Sequence, residues 1–226
     1  MSYFDKFKKG KYKGKNLFGK FWYFIWHEDS MESWMINIVL AFILIKYLVY
    51  PGLGFVFATT HPIVAVVSGS MYHGNGFDDY WINGGGWYDD NGVSKSLFNT
   101  FPMRNGFSKG DIMVLRGVSS KDLEIGDIIV FISAQDRPRP DPIIHRIVAK
   151  NEVNGEIIFG TKGDNYRTNN KPINGCDFNG CLYESDIKAN QIIGKAFIRV
   201  PYLGYVKIWA VDFACMFNDF NFCIKR

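Results

Sequence analysis

The chain's 226 residues, 47% of them apolar, fit one domain plus an anchor and suffice to bury a sizeable core. Net charge is only +4, and beyond the N-terminal lysines the chain is close to neutral or acidic, which excludes a nucleic-acid-binding surface there. Aromatic content is high at 17%, with 20 Phe, 12 Tyr and 6 Trp, and suits a chain that spends part of its length at a lipid interface.

Lys6, Lys8, Lys9, Lys11, Lys13, Lys15 and Lys20 crowd the first twenty residues against Asp5 alone. Beside a hydrophobic span, such a cluster sets orientation by the positive-inside rule, with the lysines cytoplasmic. Residues 1–33 therefore read as a basic cytoplasmic tail that cannot pack a core, followed by an aromatic patch over 18–26. That patch is too short to span a bilayer but suits a segment lying at its surface. Asp29 followed by Glu32 marks a helix start, with a carboxylate cap and a second acid in the first turn.

Residues 34–58 read as a transmembrane anchor. From 35 to 58 the chain is almost wholly apolar, and as a helix those 24 residues reach about 36 Å, enough for a ~30 Å hydrocarbon core. Lys46 is the one charge inside. Pro51, Gly52 and Gly54 are expected to kink or end the helix, which leaves Lys46 close enough to an end for its ammonium to snorkel. A cleavable signal peptide would have a shorter apolar core nearer the N-terminus. A retained single-pass anchor is the better reading, with residues 59–226 outside the cytoplasm.

The stretch 61–71, His-Pro-Ile-Val-Ala-Val-Val-Ser-Gly-Ser-Met, is an apolar run rich in β-branched residues ending in a small-residue turn. It predicts a strand whose end presents Ser68 and Ser70, with Gly69 allowing the sharp turn between them. Residues 72–106 are polar, glycine-rich and aromatic without a clear period, and read as an inserted loop. Its paired acids Asp78/Asp79 and Asp89/Asp90 match no calcium-binding spacing and read as a solvated surface.

Beyond the insert the pattern turns to β-structure. Two Gly-Asp turns, at 110–111 and 126–127, lead into the apolar strands 112–115 and 128–131. Further strands are predicted at 143–149, at 156–165 ending in a Gly-Asp-Asn turn, and at 192–200. Short strands at this spacing point to a mainly β domain, a barrel or sandwich. The segment 205–223 is apolar but carries Lys207, Asp212, Asn218 and Asp219, and fits a helix packed on the domain or lying on the membrane better than a second span. Of the four cysteines, Cys176 and Cys181 lie in one Gly/Asn/Asp loop, where they either close a disulfide in an oxidising compartment or stay free thiols, while Cys215 and Cys223 lie near the C-terminus.

A serine becomes a nucleophile when a base takes its proton and donors receive the oxyanion. Of the histidines, His27 and His61 flank the anchor and His73 opens the insert, while His145 lies within Ile143-Ile144-His145-Arg146-Ile147. In a strand its ring shares a side with Ile143 and Ile147, a pattern that by itself fits a satisfied structural histidine. Asp164 occupies a turn, Lys162-Gly163-Asp164-Asn165, where aspartate is commonplace.

Taken in order, the segments at 61–71, 126–131 (Gly-Asp-Ile-Ile-Val-Phe), 143–147 (Ile-Ile-His-Arg-Ile) and 161–165 (Thr-Lys-Gly-Asp-Asn) resemble type I signal peptidases of the archaeal and endoplasmic-reticulum branch, which use Ser and His. Gly194-Lys195-Ala196 and the run 200–204 (Val-Pro-Tyr-Leu-Gly) resemble that family's last conserved stretch. The resemblance implies a signal-peptidase-like β catalytic domain with one N-terminal transmembrane helix, and it requires no cofactor and no metal. It places the nucleophile on Ser70, the general base on His145, the oxyanion donors at Ser68 and Ser70, and a third member on Asp164. The family's second aspartate, six residues further on, is Asn170 here, so Asp164, Asp177 and Asp186 all stay open as the acid that orients the histidine. The implied activity is serine endopeptidase removal of signal peptides after small residues, Ala-x-Ala-like sites, through an acyl-enzyme. The implied partners are signal peptides of preproteins, membrane lipid and the secretion translocon, at a cell membrane. A non-catalytic anchored binding or accessory subunit of the same fold is the alternative, and Asn170 is its main support.

Overall fold

Seven short strands pair antiparallel into one curled sheet, and the order in which they pair decides where the serine and histidine segments meet. The computed structural model describes residues 16–206 together with Trp209 and Phe213. Lys6 to Lys15, Cys215, Cys223 and most of the expected C-terminal helix lie outside the described residues. The chain divides into two units, residues 1–55 and 56–226.

In the first unit, α1 (Leu17–His27) is capped by the Asn16 side chain, and α2 (Met31–Leu44) by Ser30, whose hydroxyl accepts from the Ser33 amide. Ser30 therefore takes the role that the sequence assigned to Asp29. The Ser33 hydroxyl and the Asn37 amide donate back to the Phe24 and Ile25 carbonyls, which α1 leaves unsatisfied at its C-terminal end.

The helix continues through a π-helical turn, Ile45–Val49, into α3 (Tyr50–Val56), making one helix of 26 residues long and apolar enough to cross a membrane. Pro51 was expected to kink or stop it. The wider turn directly before Pro51 relieves the clash between its ring and the preceding carbonyls, so the helix runs on. Lys46 is consequently interior, about 15 Å from the helix end at ~1.5 Å per residue, rather than near it. Its ammonium sits 5.3 Å from the Tyr47 ring centroid.

The second unit begins its sheet with β1 (Ile63–Ala65). The insert is not a loop: it holds α4 (Phe77–Gly84), α5 (Gly86–Asp90) and α6 (Lys95–Phe98), whose Tyr80, Tyr88 and Phe98, with Val93 between α5 and α6, form a small core. The remaining strands are β2 (Ile112–Arg116), β3 (Ile128–Phe131), β4 (Ile143–Val153), β5 (Glu156–Lys162), β6 (Asn174–Asp177), β7 (Gly180–Tyr183), β8 (Ile187–Lys188) and β9 (Ile192–Val200). The sheet order is β1-β2-β9-β3-β4-β5-β8, and β6 with β7 forms a separate hairpin closed by a Cys176–Cys181 disulfide.

Both Gly-Asp turns are built alike. Gly110 and Gly126 adopt positive φ, and Asp111 and Asp127 accept the Ser108 and Glu124 amides. The same carboxylates pair with Arg199 and Lys195 of β9, which fastens that strand between β2 and β3.

The core follows strand alternation. Ile128 and Val130 of β3 join Val66, Met71, Met113 and Ala196 on one face, while Ile129 and Phe131 join Ile147, Phe159, Leu182 and Ile187 on the other. β3 is thus buried on both faces, and β4, hydrogen-bonded between β3 and β5, carries side chains into two different environments.

Candidate active site

The serine turn emerges where β1 ends. Val66 exchanges backbone hydrogen bonds with the 110–111 turn, after which the chain bends through Val67, Ser68, Gly69 and Ser70. The Ser68 and Ser70 hydroxyls lie 3.2 Å apart. A Cβ at Gly69 would meet nothing within 4 Å, so the turn stands open to the cavity and solvent. Met71 then returns to the core, and its carbonyl accepts from Phe107.

His145 lies on β4 opposite Ile129, on the face that Ile143 and Ile147 give to the second core. Its Nδ1 lies 2.5 Å from Oε1 of Glu184. Glu184 is fully buried and follows β7; its other oxygen accepts the Ile173 amide at 2.7 Å, and Thr161 donates its hydroxyl to Oε1 at 3.2 Å. Three donors converge on one carboxylate, which fixes its orientation and hence that of the ring.

Ser68, Ser70 and His145 line one cavity of about 460 Å³, together with Ala65, Val66, Ile143, Ile144, Asn169 and Leu182. No hydrogen bond joins the Ser70 hydroxyl to the ring; the neighbour of the hydroxyl is Ser68.

Asp164 lies elsewhere. It is wholly buried, with Oδ1 accepting from Tyr88 at 2.7 Å and Oδ2 accepting from the Arg146 guanidinium at 2.7 Å, while His73 Nε2 lies 2.9 Å from Oδ2. Arg146 also donates to the carbonyls of Pro102, Met103 and Gly126. Burial alone would raise the Asp164 carboxyl, but the Arg146 charge and the hydrogen bonds from His73 and Arg146 hold it well below the ordinary carboxylate range. The acid in contact with His145 is therefore Glu184. Asp177, also considered from sequence, pairs with Arg139. Lys162, the last residue of β5, is buried over the Trp87 and Tyr88 rings, and burial brings its pKa down to about 8.

Glu184 left a readable trace. In Gly180-Cys181-Leu182-Tyr183-Glu184, strand alternation puts Leu182 and Glu184 on the same side, and Leu182 is plainly a core residue. Among the described residues, no three His, Cys, Asp or Glu side chains gather as a metal cage.

No family model matches the chain. The signal peptidase complex catalytic subunit sec11 of Schizosaccharomyces pombe is 30% identical over 172 residues, covering 74% of this chain and 76% of that protein. The chain belongs to the signal peptidase family. The signal peptidase complex catalytic subunit SEC11 of Colletotrichum graminicola is 26% identical over 167 residues, 72% of this chain and 71% of that protein. The SEC11C subunit of Homo sapiens is 32% identical over 114 residues, 49% of this chain. The chain spans about half the length of the SEC11C proteins it matches, 54%. In this family member Ser68, Ser70 and His145 line one cavity, and Glu184, just past the β6-β7 hairpin, contacts the His145 ring from behind its lining.

Proposed function

We propose that the chain is a membrane-anchored serine endopeptidase that removes signal peptides from preproteins. Ser70 is the nucleophile, His145 the general base and Glu184 the acid that orients the ring. The observation that carries this reading is the shared cavity of Ser70 and His145, with His145 Nδ1 engaged by a buried carboxylate. With Nδ1–H donated to Glu184, Nε2 is left to accept the Ser70 proton. Ser70 Oγ then attacks the scissile carbonyl carbon, and the Ser68 hydroxyl and the Ser70 amide receive the oxyanion. His145 passes its proton to the leaving amine, and water hydrolyses the acyl-enzyme by the same route in reverse.

Substrate binds extended beside β1, which has a neighbour, β2, on one side only. Small side chains at Ala-x-Ala-like sites fit between that edge and Ile143, Ile144 and Leu182. The N-terminal lysines keep residues 1–33 cytoplasmic and the β-domain outside, and the Cys176–Cys181 disulfide agrees with an oxidising compartment. The anchor holds enzyme and membrane-bound preprotein in one plane, near the translocon that delivers it.

The test uses full-length chain in detergent with a purified preprotein. Ser70→Ala and His145→Ala are each expected to abolish cleavage while retaining a cooperative thermal transition. Undiminished cleavage by either variant would overturn the assignment, and binding without cleavage by the unaltered chain would favour the accessory-subunit alternative.

A further inference from the structure

The Ser68-Gly69-Ser70 turn has few restraints of its own. Its flanks are pinned, since Val66 bonds the 110–111 turn and the Met71 carbonyl accepts from Phe107. Between those flanks, among the described residues, two non-local hydrogen bonds reach the turn backbone, and both come from one residue. The Asn165 amide N–H donates to the Ser70 carbonyl at 2.8 Å, and the Asn165 side-chain Nδ2 donates to the Gly69 carbonyl at 2.8 Å. The Asn165 Oδ1 accepts the Arg167 amide at 3.1 Å, which holds the carboxamide with its NH₂ toward Gly69.

Asn165 is also rigidly connected to the histidine. It stands three residues beyond Lys162, and Lys162 pairs with Arg146, the neighbour of His145 on β4. Between them, Gly163 passes so close to the ring that an added Cβ would lie 2.9 Å from His145 Nε2. Asp164, locked on Arg146, fixes the same segment from the opposite side.

We infer that Asn165 is a positioning residue that ties the nucleophile turn to the histidine-bearing strand pair and so sets the Ser70–His145 separation. The inference rests on the peptidase reading above. Its consequence is kinetic. A turn that is free to drift still admits substrate along β1 but seldom presents Ser70 Oγ to Nε2, so turnover falls while substrate affinity is retained.

The experiment compares Asn165→Ala and Asn165→Asp with unaltered full-length chain in detergent. It measures kcat and KM on a preprotein, and amide hydrogen exchange over 66–71 and over β4. Asn165→Asp keeps the acceptor for Arg167 and puts a carboxylate oxygen, which cannot donate, against the Gly69 carbonyl, while Asn165→Ala removes the side-chain bond to Gly69 without adding a charge. Both variants are expected to lose about 10- to 100-fold in kcat with KM within about threefold, and to exchange faster at 66–71 with β4 unchanged. Wild-type kcat in Asn165→Asp, or unchanged exchange at 66–71, would overturn the inference. Faster exchange throughout β4 and β5 would overturn it too, because Asn165 would then be a general stability residue. If the unaltered chain does not cleave while exchange at 66–71 alone speeds up in both variants, the tie stands and the peptidase reading falls.

Discussion

Replacing Glu184 with Gln tests the assignment of the orienting acid most sharply, because the substitution conserves volume in a fully buried site. The carboxylate accepts from three donors: His145 Nδ1 and the Thr161 hydroxyl on Oε1, and the Ile173 amide on Oε2. A carboxamide offers one oxygen and one NH₂. Turned with its oxygen toward His145, it sets NH₂ against the Ile173 N–H and leaves a buried backbone donor unpaired, at about 1–3 kcal/mol of stability. Turned the other way, its NH₂ faces Nδ1 and forces the tautomer whose Nε2 already carries a proton. That tautomer cannot take the proton of Ser70. Loss of the correct tautomer in a Ser-His-acid triad costs about 10⁴-fold in kcat, or about 5 kcal/mol of barrier at ~1.36 kcal/mol per tenfold. The expected result for Glu184→Gln is therefore a kcat loss of about 10³- to 10⁴-fold with KM little changed, measured by preprotein cleavage over time. A kcat within about threefold of the unaltered chain, or a larger loss in Asp164→Asn than in Glu184→Gln, would refute the assignment.

Asp164→Ala leaves the Arg146 guanidinium buried without its partner and is expected to cost about 3–5 kcal/mol of stability in denaturant unfolding, part of which Asp164→Leu combined with Arg146→Met recovers. Because the folded Asp164 carboxyl is held far down, its contribution is complete above about pH 4 and is lost as pH falls below that, so the acid limb of Tm against pH flattens in Asp164→Asn. Lys162 gives the opposite signature. Its pKa is about 8 when folded, against 10.5 ordinarily, so between those values the unfolded chain binds more protons and stability rises with pH, by at most about 3 kcal/mol. Lys162→Met removes that slope; an identical slope in both proteins would show that the ammonium is not desolvated. Gly163→Ala brings a Cβ to 2.7 Å from Asn169 Cγ and 2.9 Å from His145 Nε2, and is expected to lower kcat about 100-fold with the far-ultraviolet circular dichroism unchanged.

The β domain and the apolar helix were legible because their signals are local. The Gly-Asp turns announce β2 and β3, and the run from 35 to 58 announces a span. What sequence could not show came from distant partners or from competition between local preferences. The 72–106 segment has too many glycines for a visible helical period, yet Tyr80, Tyr88 and Phe98 fold three short helices around Arg146, a residue far along the chain. β8 has only two residues, and β6 and β7 sit between Gly and Asn, so no alternation is long enough to register. The continuation of the helix past Pro51 depends on a π-turn that no propensity forecasts. In the site, Ser68, Ser70 and His145, which stand in the sequence motifs, line one cavity. The partner of the histidine was missed because Asp164 stands in a motif and Glu184 does not.

That miss has a geometric reason, and it separates two carboxylates by task. His145 and Arg146 are neighbours on β4, so their side chains leave opposite faces of the sheet. One face holds the cavity, Leu182 and Glu184; the other holds the insert's aromatic rings and Asp164. A carboxylate that binds Arg146 with both nitrogens of its fork is thereby on the wrong side to reach the His145 ring. The Lys-Gly-Asp-Asn turn serves both faces at once: Asp164 anchors it to Arg146, Gly163 yields space to the ring, and Asn165 reaches the serine turn. On the proposed reading no acid is needed six residues later, because Glu184, just past β7, already meets the ring at Nδ1. Asn170 therefore does not by itself favour the accessory-subunit alternative, because a buried carboxylate contacts His145 without it.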